Sequence, residues 1–126
     1  MTDTKQMLLD NVLSIVERLE SEIEVTQEYL DEHPDQADWL DVGDQLGAAS
    51  FMEDSLDVSY TIGADGSYRG SEILVAFGGP NIEVNTQFNI VEGRWGGDVI
   101  SRSYSDNIGL DDHMEAMCRY LLQDSL

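Results

Sequence analysis

The chain has little of several things, and each shortage excludes a class of function. Its single cysteine, Cys118, has no second cysteine with which to form an internal disulfide or a zinc knuckle, so a free, buried thiol is the expectation. Only six of its residues are Lys or Arg. Nucleic acid and anionic membrane surfaces are recognised by clustered bases, so direct binding to either is disfavoured. No apolar run approaches the length of about 18 residues that reads as a membrane span. The start, Met1-Thr2-Asp3-Thr4-Lys5, lacks the basic region and apolar stretch of a secretory signal. The expected location is therefore the cytoplasm, with no membrane partner.

What is present in excess is carboxylate. The sequence carries 26 Asp and Glu and a formal net charge of -20. Ordinary solubility asks for a magnitude of roughly 2 to 8 in a small domain. Self-repulsion of this size costs stability, which favours a cationic partner that requires it or an environment that compensates it. The charge is uneven: residues 1–57 hold 16 acids and 2 bases, residues 58–126 hold 10 acids and 4 bases. Hydrophobic residues make up 41% of the 126 positions and fall in periodic groups, as expected of one folded domain over 1–126. An acidic helical part over 1–55 precedes a strand-rich part with a last helix over 56–126.

Leu8, Val12, Ile15, Val16, Leu19, Ile23 and Leu30 recur at helical spacing, which predicts one long amphipathic helix from Thr4 to about Leu30. Its other face would carry Asp10, Glu17, Glu20, Glu24 and Glu28 as an acidic ridge. Pro34 ends that pattern. A second helix is expected from Asp35 to about Asp54, weakened by Gly43 and Gly47. Asp35, Asp38, Asp41 and Asp44 would extend the ridge along it. From Leu56 the pattern becomes one of short strands divided by glycine turns, over 56–62, 68–77, 82–86, 91–95 and 99–104. A final helix, about Leu110 to Leu122, is expected to turn Met114, Met117, Cys118, Leu121 and Leu122 to the core. The fold class is α+β: two N-terminal helices, an antiparallel meander of four or five strands, and one C-terminal helix.

No catalytic motif emerges. His33 falls in a polar turn and His113 among Asp111, Asp112 and Glu115, neither beside a recognisable nucleophile, so both read as surface or capping residues. Asp35, Asp38, Asp41 and Asp44 repeat every three residues with Trp39 and Leu40 among them. A calcium loop of the EF-hand type needs alternate ligands, a glycine and a terminal Glu, so no metal is assigned. Gly78-Gly79-Pro80-Asn81 and Gly93-Arg94-Trp95-Gly96-Gly97-Asp98 lack the Lys and Ser or Thr of a phosphate loop and read as turns. No cofactor is expected, and the chain reads as a binding protein rather than an enzyme.

In size, charge and the row Asp10, Glu17, Glu20, Glu24 and Glu28, the chain resembles the small acidic anti-defence proteins of phages and conjugative plasmids, the DNA-mimic antirestriction and anti-CRISPR inhibitors. The stretch from Gly78-Gly79-Pro80-Asn81-Ile82 through Val91-Glu92-Gly93-Arg94-Trp95-Gly96-Gly97-Asp98 to Asp106-Asn107-Ile108-Gly109-Leu110-Asp111 is also similar to small proteins of mobile elements, and implies no chemistry of its own. The first resemblance implies an inhibitor in the host cytoplasm that blocks a basic, nucleic-acid-binding defence protein. Asp10, Glu17, Glu20, Glu24, Glu28, Asp38, Asp41 and Asp44 would then be its contact residues. Two other readings stay open: a structural or housekeeping domain of a salt-adapted organism, and an adaptor or immunity protein for a basic partner. The apolar stripe of the first helix would also suit a homodimer.

Overall fold

The computed structural model of the protein describes every residue except Met1, Thr2, Glu22, Trp39, Asp44 and Leu126. Strands β3 (Asp57–Ile62), β4 (Tyr68–Ala76), β5 (Asn81–Asn85), β6 (Ile90–Trp95) and β7 (Asp98–Ser103) form an antiparallel meander in sequential order. Period-two alternation decides which face is buried. Val58, Ile73, Val84 and Val91 stand in register across four strands, and Ile82, Gly93 and Ile100 form the next row. Ile73, Ile82, Val84, Val91 and Ile100 are all buried, and each contributes about 1.5 to 3 kcal/mol relative to exposure.

One face of this sheet is covered by helices. Helix α1 (Asp3–Glu20) lies over β6 and β7, and α4 (Leu110–Ser125) over β4. Leu8, Val12 and Leu19 come from α1, and Leu110, Met114 and Cys118 from α4. The approach of α1 depends on Gly93: a Cβ there would lie 2.6 Å from Val12 Cγ2 and 2.8 Å from Leu8 Cδ1. Between β6 and β7, Gly96 at φ +59 with Gly97 makes the two-residue hairpin loop that this twist of strand favours. The class is α+β, as the change of period along the sequence implied.

The N-terminal helices have different boundaries from those the spacing suggests. The first ends at Glu20, where Asn107 takes over its last carbonyls: Asn107 N donates to Leu19 O at 3.1 Å and Asn107 Nδ2 to Glu20 O at 2.8 Å. The β-branched stretch Ile23-Glu24-Val25-Thr26 then runs extended, and Ile23–Glu24 (β1) pairs with Gln45–Leu46 (β2). A new helix, α2 (Gln27–Glu32), starts on Thr26, whose hydroxyl accepts from Tyr29 N at 3.1 Å. The expected helix over 35–54 is a 3-10 turn (Pro34–Gln36), β2 and the short α3 (Ala48–Met52). Gly43 adopts φ +98, which a helix does not admit, and its N–H bonds to Val25 O.

Of the stripe assigned to α4, Met114 and Cys118 are buried, but Met117, Leu121 and Leu122 are at least 40% exposed. The first turns sit on the sheet; by Cys118, Arg119 and Leu122 the helix only flanks the β3–β4 hairpin.

Candidate partner-binding surface

Among the described residues, the acids expected on the ridge are exposed, but not as one helical ridge. Asp10 and Glu17 are exposed on α1, seven residues apart and hence nearly superposed along its axis. Glu24 lies on β1, Glu28 on α2, and Asp38 and Asp41 on the segment beyond the 3-10 turn; all four are exposed. Asp44 lies outside the described residues. The acids expected on two helices therefore occupy a helix, a strand, a short helix and a connecting segment, because the chain leaves α1 at Glu20.

Glu20 has a structural task. Its Oε2 accepts from Ser105 N at 2.8 Å while Asn107 holds its carbonyl, so this residue fastens the C-terminus of α1 to the segment after β7. Asp10 accepts from Gln6 Nε2 at 2.9 Å, one turn earlier on the same helix. Arg18 pairs with Asp54 at 3.1 Å and lies 4.9 Å over the Phe51 ring, joining α1 to the end of α3. Arg94 pairs with Glu92, and Arg119 with Glu115 at 3.4 Å. Even with all six bases paired, the net charge of -20 stands.

The sheet face opposite the helices also bears acids. Glu83 is directly across from Glu92, an arrangement of like charges that Arg94 relieves through Nε to Glu92 Oε1 at 2.9 Å. With Leu74, Phe77 and Asn81 these side chains line a shallow depression of about 420 Å³, and Phe77 is 73% exposed.

A cluster that period and spacing did not single out joins α4 to the sheet. The Tyr68 hydroxyl bonds Ser71 Oγ at 2.8 Å and Thr86 Oγ1 at 3.2 Å, and donates to Asp111 Oδ1 at 2.8 Å. Ser71 N donates to Thr86 Oγ1 at 2.8 Å, inside the β4–β5 junction. Asp106 caps α4, its two oxygens accepting from Leu110 N at 2.8 Å and Asp111 N at 3.0 Å. Burial, with Asp111 beside it, pushes Tyr68 up to about 12, and burial likewise raises Tyr104, with Asp106, Asp111 and Tyr68 adding to the effect. The one sequence signal for the cluster was Asp106, four residues before the apolar Leu110.

Both histidines sit at helix ends. His33 stacks on Tyr29 with centroids 4.1 Å apart, and its Nδ1 lies 2.9 Å from Tyr29 O at the end of α2. His113 N bonds to Gly109 O in the first turn of α4. Among the described residues no three His, Cys, Asp or Glu side chains converge as a metal would need, and no helix is long and apolar enough to cross a membrane. No family model, curated protein or solved structure matches the chain.

Proposed function

We propose that the chain is a non-enzymatic inhibitor, of the kind mobile elements carry, that occupies the basic groove of a nucleic-acid-binding defence protein in the host cytoplasm. Carboxylates take the place of phosphates in that groove. The observation that carries this reading is the pair Asp10 and Glu17, exposed on one face of a helix that is itself clamped to the sheet by Leu8, Val12 and Leu19. Seven residues of helix rise about 10.5 Å, close to the roughly 10 Å that three phosphate-to-phosphate steps of one DNA strand span along the duplex axis. Because α1 is already packed, binding orders the two side chains but not the backbone that carries them. Glu28, Asp38 and Asp41 extend the acidic surface, and Glu24 adds to it from β1. Glu20 contributes by holding α1 in place.

The deciding experiment replaces Asp10, Glu17 and Glu28 by Lys together. Loss of inhibition and of partner binding, with an unchanged circular dichroism spectrum, is the expected result. Full inhibition by the folded triple variant would end the proposal.

A second reading has an observation of its own. Asp57, Glu72 and Glu83 are exposed on β3, β4 and β5, outside the N-terminal acidic layer. Acids spread over several surfaces suit a structural or housekeeping domain adapted to high salt, in which charge serves hydration. Such a domain loses structure in dilute buffer, whereas an inhibitor acting in an ordinary cytoplasm does not. Competition by DNA or RNA separates mimicry from an adaptor that binds a basic protein in another way.

A further inference from the structure

Strand β7 is an edge of the sheet, and its hydrogen-bonding groups can be assigned. Tyr104 N donates to Asn89 O at 3.0 Å, in the same register as the Trp95–Asp98 pair that closes the hairpin. Asp98, Ile100 and Arg102 therefore spend their backbone groups on β6, and Val99, Ser101 and Ser103 point theirs away from the sheet. Val99 is 58% exposed. Along the same edge runs a groove of about 370 Å³ between β7 and α1, lined by Lys5, Gln6, Leu9, Val99, Ile100 and Arg102. Leu13, one turn beyond Leu9 on that flank of α1, is 45% exposed.

We propose that this edge pairs with the β7 edge of a second copy of the chain, about a two-fold axis, to make one continuous ten-stranded antiparallel sheet. Charge selects the register. Setting Val99 opposite Ser101 of the other copy makes both exchange backbone bonds, and it places Asp98 opposite Arg102 twice, on the face shared with Ile100. Moving either strand by two residues loses these pairs, and moving it by four sets either the two Arg102 or the two Asp98 side chains against each other. Arg102 Nη1 donates to Ser101 O at 2.8 Å; on pairing, Val99 N of the other copy replaces that donor and the guanidinium turns to Asp98 of the other copy.

The helices fit the same arrangement. An axis over the midline of β6 and β7 is about half a strand spacing from the edge, so the two copies of α1 come to about 10 Å apart, the distance at which helices pack. Leu9, Leu13 and Val16, which share the flank of α1 turned to the open edge, would meet their counterparts there. Like net charge opposes the association, so it strengthens with salt, opposite to the binding of a basic partner.

Sedimentation of the full chain at about 0.15 and 0.5 M salt tests the proposal. A species of twice 14.1 kDa is expected. Asp98→Arg and Arg102→Asp singly should each weaken it about tenfold, since both cross-strand pairs become like-charged, and the double swap should restore it. Val99→Pro removes an N–H that faces away from β6, so the monomer keeps its bonds while the dimer is lost. A chain that stays monomeric at about 100 μM in both salts, or a dimer indifferent to Val99→Pro and to both reversals, overturns the proposal.

Discussion

Ser105 N lies 2.8 Å from Glu20 Oε2, a hydrogen bond between residues 85 apart in the chain. It places one member of the expected acidic row in the service of the fold. Substituting Glu20 by Ala should lower stability by about 1 kcal/mol in urea unfolding, whereas Glu17→Ala should change it by less than about 0.5 kcal/mol. Equal effects would mean that the tie at Glu20 carries no weight.

Gly93 is where α1 meets the sheet. Gly93→Ala should cost about 1 to 3 kcal/mol, because the new methyl enters the space of Val12 and Leu8 in the packed core. Gly97→Ala, with nothing within 4 Å of its Cβ, is the control and should leave the melting temperature nearly unchanged.

Alkaline stability should follow the buried tyrosines. Tyr68 is pushed up to about 12 and Tyr104 and Tyr60 are also raised, so the folded state keeps protons that the unfolded state releases above pH 10. Unfolding then takes up hydroxide, and stability, fully present below pH 10, falls as pH rises from 10 towards 12. Denaturant titrations at pH 8 and 11 check the sign. Tyr68→Phe should flatten the slope while losing stability at both pH values, since Asp111 and Thr86 lose a partner.

How much was legible in the sequence depends on how local the signal was. The five strands were readable because alternation and glycine turns are encoded within each hairpin, down to Gly96-Gly97 between β6 and β7. The length of α1 was not. Apolar spacing continued through Ile23 to Leu30, and the element that ends the helix, Asn107, lies in another part of the chain. The local hint was Ile23-Glu24-Val25-Thr26, three β-branched residues in four with Thr26 ready to cap a new helix. Gly43 likewise signalled a break that the aspartate spacing obscured. The described acids of the expected ridge were readable as exposed, but their grouping was not, since it follows from where the chain turns. The Tyr68–Asp111 bond spans 43 residues and left no mark in any window.

Salt response separates the two readings of the charge. The protein should give the circular dichroism of a folded α+β domain at about 0.1 M salt, where the Debye length is roughly 10 Å, and gain a modest rise in melting temperature by about 1 M as repulsion is screened. A chain that is unfolded at the lower salt and folds only near the higher would favour adaptation to salt over recognition.

The central claim, that this surface stands in for nucleic acid, is tested most directly by capture and displacement. The tagged protein is incubated with nuclease-treated host lysate, and what it retains is identified and then challenged with DNA or RNA. The account expects one nucleic-acid-binding protein, held at about 0.15 M salt, weakened at about 0.5 M, released by added DNA or RNA, and not retained by the chain with Asp10, Glu17 and Glu28 changed to Lys. Retention that ignores both nucleic acid and those three substitutions would contradict it.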